Sequence, residues 1–110
     1  RALEQDDREA YFKAVEVVYT VKRAEGRALY GDGYRDAGYF MNYHTWLAGT
    51  RECDHLHDGM GFLTGHNAIT NEFEINLQRV DPSVAVPYWD YTRDMHDVAL
   101  QGEAANIDDG

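Results

Sequence analysis

The chain has 110 residues, 13% of them aromatic, and a formal net charge of −10; these values indicate one small folded domain or part of one, and they exclude a disordered chain. The acidic excess argues against a nucleic-acid partner, which requires clustered Lys and Arg, and no apolar run is long enough to span a membrane. The single cysteine, Cys53, excludes an internal disulfide framework.

The first predicted helix covers residues 7–24. Its apolar residues recur at spacings of four, three and three, which is a helical period; they are Tyr11, Val15, Val18 and Val21. Acidic residues at its start suit a helix N-terminus, and Gly26 is the predicted stop signal.

A second helix is predicted over residues 34–48, with Gly49 at its end. Phe40, His44 and Leu47 stand at i, i+4 and i+7, so they share one face of this helix. A single histidine beside core residues is more often a buried residue with satisfied hydrogen bonds than a metal ligand. The next three histidines in the chain nevertheless favour the interpretation of His44 as a metal ligand.

The third predicted helix begins between residues 59 and 64 and continues to about residue 79. Its apolar positions recur at helical spacing, and His66 is one of them; they are Phe62, His66, Ile69, Phe73 and Leu77. His66 therefore belongs to the stripe that is expected to face the interior. Asp81-Pro82 closes the helix, because proline disfavours helical geometry in the residue before it.

The last part of the chain is predicted to be extended and then weakly helical. Residues 84–90, Val-Ala-Val-Pro-Tyr-Trp-Asp, are expected to pack across the helices with Tyr88 and Trp89 in the core. A short helix over 93–100 would leave His96 exposed. We therefore predict an all-α fold, a partial helix bundle over residues 1–100, followed by a polar linker or truncated edge over 101–110.

Four of the five histidines fall between residues 44 and 66, namely His44, His55, His57 and His66. Imidazole nitrogens suit copper, zinc, iron and nickel. His44, His57 and His66 would form a neutral, nitrogen-only site with one position open for a small molecule. Zinc would accept the same ligands and activate water. Spacing alone does not choose between these metals, or between a metal site and buried structural histidines.

Several motifs follow one another at fixed distances. His57 lies nine residues before His66, which opens a helical run, and Phe73-Glu74 follows seven and eight residues later, before Pro87-Tyr-Trp-Asp90. Over roughly residues 34–92 this combination resembles the first, copper A half of a tyrosinase/haemocyanin-type copper domain. The resemblance implies a tyrosinase-type helix bundle and copper as the cofactor, with His44, His57 and His66 as its ligands.

The same resemblance implies an oxidoreductase that converts phenols or catechols to quinones with dioxygen. A second three-histidine copper would complete the site. The alternatives are a haemocyanin-like oxygen carrier and a structural or interaction protein that retains the scaffold without catalysis. Glu74 and Asp90 match the family signature and would orient ligand histidines. The alternative is that Glu74 is an ordinary residue on a helix surface and Asp90 an ordinary residue in a turn. Proteins of this type are often secreted or lie in an organelle lumen.

Three departures from the family pattern bear on these expectations. The chain has Gly65-His66-Asn67 where the family usually has Trp-His-Arg. His55 stands two residues before His57, where some members have a thioether-linked cysteine. If His55 were the ligand instead, Cys53 would lie at that distance from it, but the nine-residue spacing to His66 would be lost. His57 is therefore preferred, His55 is the alternative ligand, and a buried His55 or a Cys53–His55 linkage stays open. After His66 only His96 remains. The ligands of a second copper would therefore come from further sequence or from another chain.

Overall fold

The computed structural model describes residues 3–49, 51–57 and 59–101, without the side chains of Cys53 and residues 97–101. Across these ranges the regular structure is entirely helical, with a short 3₁₀ turn at Arg51–Cys53 and five α-helices: α1 (Gln5–Thr20), α2 (Arg23–Tyr30), α3 (Ala37–Ala48), α4 (Gly61–Val80) and α5 (Tyr91–Gln101). The predicted all-α fold is confirmed. Beyond Gln101, the predicted linker lies outside the described residues.

The core forms where α1, α3 and α4 pack on one another. Its buried side chains come from α1, from α4 and from the segments that precede α3 and follow α4; they are Ala14, Val18, Tyr34, Leu77 and Val84. Between α3 and α4, the ring of Phe73 contacts that of Phe40 edge to face, with 5.2 Å between centroids. Burial of these apolar surfaces is the main force that holds the helices together.

The prediction of one helix over 7–24 ended by Gly26 is wrong at its C-terminal end. α1 ends at Thr20, and Gly26 lies buried inside a separate helix, α2. The ring of Tyr34 lies directly against Gly26, in the space that a Cβ atom would occupy. The Tyr34 hydroxyl lies 3.1 Å from the Val17 carbonyl and 2.9 Å from that of Val21. Its one proton is shared between these carbonyls at the end of α1, and the Val17 carbonyl also accepts from the Val21 N–H at 2.8 Å.

The N-terminus of α3 is set by Asp36. Its Oδ1 accepts a hydrogen bond from the Tyr39 backbone N–H at 3.1 Å, which is N-cap geometry. The other carboxylate oxygen accepts from the Arg23 N–H at the start of α2, also at 3.1 Å. The second helix therefore begins at Ala37 and not at residue 34 as predicted, which leaves Tyr34 free to enter the core.

The third predicted helix is confirmed as α4, and it ends next to Asp81-Pro82 as expected. The Asp81 carboxylate accepts hydrogen bonds from the Ser83 N–H at 2.9 Å and from the Ser83 hydroxyl at 2.6 Å. This turn directs the chain back along α4. There the Gln78 side-chain amide donates to the Val84 carbonyl at 3.1 Å, so the start of the extended segment is fixed to the helix.

Only the first half of the extended segment packs as predicted. Val84 is buried, but Tyr88 and Trp89 are 84% and 75% exposed and do not belong to the core. The last tie to α4 is the Val86 N–H, which donates to Glu74 at 2.8 Å. Beyond it, the Trp89 indole N–H donates to Asp94 of α5 at 2.6 Å. The aromatic pair therefore follows α5 and lies outside the bundle core.

α5 begins at Tyr91, two residues earlier than predicted, because Asp90 caps it. Asp90 Oδ1 accepts from the Arg93 N–H at 3.2 Å and from the Thr92 hydroxyl at 2.9 Å. His96 is exposed, as expected. None of the helices in the described part of the chain is long and apolar enough to cross a membrane.

Candidate metal centre

Two antiparallel helices, α3 and α4, carry two of the predicted ligands. Contacts between them pair Tyr39 with Glu72, and Phe40 with Phe73. His44 lies further along α3 and His66 lies earlier in α4, so the antiparallel packing brings their rings together, with 5.9 Å between centroids. The register of the helix pair therefore decides whether these two histidines meet.

Polar contacts fix that register. Asn76 is only 2% exposed, and its amide accepts from the Arg35 N–H at 2.7 Å and donates to the Arg35 carbonyl at 2.8 Å. A buried amide without such partners would be costly. The Tyr39 hydroxyl donates to Glu72 Oε1 at 2.9 Å. This hydrogen bond, together with desolvation by burial, raises the pKa of the Tyr39 phenol.

The loop between α3 and α4 supplies the third histidine. The His55 N–H donates to the Leu47 carbonyl at 3.1 Å, which ties the loop to the end of α3. Asp54 Oδ1 accepts from the backbone N–H groups of Leu56 and His57, both at 2.9 Å. The loop backbone is thus folded around one aspartate, with Leu56 turned inward and His57 on the side of the helix pair.

The structure brings the three predicted ligands together. One nitrogen each from His44, His57 and His66 lies within 4.8 Å of the other two, and the three ring centroids are 5.4 to 5.9 Å apart. His44 and His66 are half-buried, whereas His57 is exposed. The exposed His55, the alternative ligand, is not part of the cluster that forms among the described residues.

Hydrogen bonds assign the protons of two of these rings. His66 Nδ1 lies 2.8 Å from the Phe62 carbonyl oxygen. A carbonyl only accepts, so Nδ1 carries the proton and Nε2 has the free lone pair. His57 Nδ1 lies 2.8 Å from Asp54 Oδ2. The Leu56 N–H, and then the hydrogen bonds from His57, lower the pKa of Asp54 to about 2, so the aspartate is a charged acceptor at neutral pH.

The donor set fits a transition metal. Metal-bound histidines typically donate their second ring N–H to a carboxylate or a backbone carbonyl, and His57 and His66 each have one of these two partners. An ion with bonds of about 2 Å to three nitrogens holds them about 3.5 Å apart, so a modest inward movement of the rings would close the cluster. The exposed side at His57 leaves room for a further ligand.

The contacts of Glu74 and Asp90 differ from those expected. Glu74 lies eight residues from His66 on α4, about 12 Å along the axis, and accepts from the Val86 N–H. Asp90 caps α5. In the described part of the chain neither carboxylate has a hydrogen bond to a histidine, so an orienting role stays a prediction. The Cys53–His55 linkage falls on a side chain outside the described residues.

Asp54 was missed by sequence reasoning. It lies in a polar stretch that predicts only a loop. The available signal was its residue type, since an aspartate in a loop commonly accepts hydrogen bonds from backbone N–H groups two or three residues later and so closes a turn. That turn places its second oxygen beside His57.

Comparison with known proteins gives an independent result. Residues 32–109 match the family model described as the common central domain of tyrosinase. A 38-residue segment is 50% identical to grixazone synthase of Streptomyces griseus and to the tyrosinases of Streptomyces antibioticus and Streptomyces lincolnensis. This segment is 34% of the chain but only 12% to 14% of each relative. No solved structure matches the chain.

Proposed function

Because this chain belongs to the tyrosinase family, we propose that it binds one copper ion through His44, His57 and His66 as part of a tyrosinase-like oxidoreductase. The observation that carries the proposal is the convergence of these three nitrogens. The hydrogen-bonded Nδ1 atoms of two rings support it further. The family favours copper over zinc, which the ligand chemistry would also accept.

The chain's own residues would prepare the site for the metal. Asp54 and the Phe62 carbonyl hold the Nδ1 atoms of His57 and His66, which leaves the Nε2 atoms of these rings available to bind the ion. Copper, once bound, supplies one-electron redox chemistry and an affinity for dioxygen. The exposure of His57 gives a small molecule such as a phenol access to the ion.

A coupled copper pair would need three more histidines. Outside the cluster the sequence has only His55 and His96. We therefore propose one copper per chain, with the second copper site contributed by further sequence or another chain. Phenols or catechols and dioxygen are the proposed substrates of the completed site.

A second candidate function is a scaffold without catalysis. It is favoured by Gly65 and Asn67, which flank His66 where related domains usually have Trp and Arg. A haemocyanin-like carrier would share the copper site but bind oxygen reversibly without turning over catechol. Copper binding separates the scaffold from the other two.

The test is metal analysis of the purified chain after copper reconstitution and removal of free metal. We expect about one copper per chain for the wild type and for His55→Ala, and loss of most copper in His66→Ala. His55→Ala is the matched control, because it removes an exposed imidazole two residues from His57. A wild-type chain that is folded but holds no copper would reject the proposal.

A further inference from the structure

We infer that Asp54 and Leu56 are positioning residues for His57. We infer also that Gly65, which has no side chain, leaves the space on α4 that Leu56 occupies. The inference rests on the proposed metal site and goes beyond it, because it says how an exposed loop supplies an accurately placed ligand. His44 and His66 are held by helices. His57 has no such support and depends on the contacts of its own loop.

Asp54 fixes the orientation of the His57 ring. One oxygen accepts from two backbone N–H groups of the loop, and the other accepts from His57 Nδ1 at 2.8 Å. The side chain of His57 is 45% exposed, whereas that of Asp54 is 16% exposed. Packing alone therefore does not hold the ring. The aspartate, anchored through the backbone, holds the imidazole in the tautomer with Nε2 unprotonated.

Leu56 fixes the position of the loop. It is 1% exposed, and a Cβ atom added at Gly65 would lie 2.5 Å from its Cδ2 atom. One turn earlier on α4, the His55 carbonyl oxygen occupies the space where Gly61 would have a Cβ. Residues at i and i+4 lie on the same helix face. The loop therefore sits on a patch of α4 that lacks side chains.

These two contacts act on adjacent residues. Leu56 sets where the loop lies relative to α4 and hence to His66, and Asp54 sets how the His57 ring is turned. Loss of either contact should lower metal affinity even when all three histidines are present. Altered partners of metal-bound histidines typically cost 10–100-fold in affinity.

The first test is Asp54→Asn. Its side-chain carbonyl still accepts from the Leu56 and His57 N–H groups, so the turn is retained, but the charged acceptor for His57 is lost. We expect zinc and copper affinities to fall about 10–100-fold, with little change in thermal unfolding. In the metal-free chain, nitrogen NMR of the imidazoles should show His57 protonated at Nδ1 in the wild type and shifted toward the Nε2–H tautomer in the variant.

Asp81→Asn is the matched control. Asp81 closes a turn of the same kind by accepting from the Ser83 N–H, but it lies beyond the C-terminus of α4, away from the cluster. We expect this variant to keep wild-type metal affinity and the wild-type His57 tautomer. If Asp54→Asn also keeps both, Asp54 does not position His57.

The second test is Gly65→Ala, which places a methyl group where Leu56 is seated. We expect a loss of metal affinity of about tenfold or more, partly reversed when Leu56→Val is added to shorten the opposing side chain. Gly38→Ala in α3 is the control, since its Cβ would meet only Asp36 Oδ1 at 3.4 Å. Wild-type metal affinity in a folded Gly65→Ala chain would contradict this role of Gly65. If Gly65→Ala misfolds, restoration of folding by Leu56→Val would support the role, and failure to restore folding would contradict it.

These outcomes separate the inference from the proposed function. A wild-type chain that binds neither metal contradicts the metal site, while the tautomer of His57 in the metal-free chain still tests Asp54. A wild-type chain that binds metal, with Asp54→Asn and Gly65→Ala binding equally well, supports the metal site and contradicts the inference.

Discussion

The side-chain amide of Asn76 exchanges two hydrogen bonds with the backbone of Arg35, accepting at 2.7 Å and donating at 2.8 Å. Asn76 belongs to α4, and Arg35 lies just before α3. The pair joins the two helices at the end opposite the histidines, since His66 lies about 15 Å away along α4. It fixes the register that brings His44 to His66.

Asn76→Ala should destabilise the fold. The change leaves the Arg35 N–H and carbonyl without their partner, so we expect the free energy of unfolding to fall by about 2–4 kcal/mol. Urea unfolding followed by circular dichroism measures it. Asn71→Ala, an exposed position on the same helix, should change it by less than about 0.5 kcal/mol. Equal unfolding midpoints for the two variants would contradict this role.

Tyr39→Phe should cost about 1 kcal/mol by removing the hydrogen bond to Glu72. The pKa of Tyr39 is raised above its ordinary value of 10.0 in the folded chain. Its stabilising contribution is therefore complete below pH 10 and is lost as the pH rises through the folded-state pKa. The difference between wild type and variant in urea unfolding should shrink from pH 8 to pH 11. A difference that grows with pH would contradict this assignment.

Glu74→Ala should release the extended segment while leaving the metal site intact. The Val86 N–H loses a charged acceptor, which we expect to cost about 1–3 kcal/mol, and copper affinity should stay near that of the wild type. Glu74→Gln keeps an acceptor and should recover most of the stability. A loss of copper affinity in both variants would instead support the orienting role implied by the family signature.

Gly26→Ala should be among the most damaging changes in α2. The added methyl group would occupy the position of the Tyr34 ring, so we expect a loss of about 1–3 kcal/mol from overpacking. Adding Tyr34→Phe should not relieve the clash, because the hydroxyl is not the group involved. Thermal unfolding of the single and double variants would show this, and a fully stable Gly26→Ala chain would refute it.

Periodicity predicted that α1, α3 and α4 are helices, because each has one apolar face against the core, although the end of α1 and the start of α3 differ from the predicted bounds. It failed for α2, because a glycine usually marks the end of a helix. Gly26 instead lies inside α2, where its missing side chain makes room for the ring of Tyr34, eight residues later in the chain. It also misassigned Tyr88 and Trp89, whose apolar character suggested burial. They are exposed because the hydrogen bonds between the extended segment and α4 end at Val86. Where such tertiary contacts end is not visible in the local sequence.

The sequence predicted the three candidate ligands but not the groups that hydrogen-bond to their rings. Spacing within the helices, together with the resemblance, identified His44, His57 and His66, and the structure brings them together. The contact that orients His57 comes from Asp54, whose polar surroundings predict only a loop. The contact that orients His66 comes from the Phe62 carbonyl, a backbone group that no residue pattern reveals.

The most direct test of the proposed three-histidine copper site is X-ray absorption spectroscopy at the copper edge of the copper-loaded chain. We expect nitrogen scatterers at about 2 Å, with the outer-shell scattering of three imidazole rings, reduced to two rings in His57→Ala and unchanged in His55→Ala. A spectrum without the outer-shell scattering of imidazole, or with a sulfur scatterer near 2.3 Å from Cys53, would contradict a three-histidine copper site.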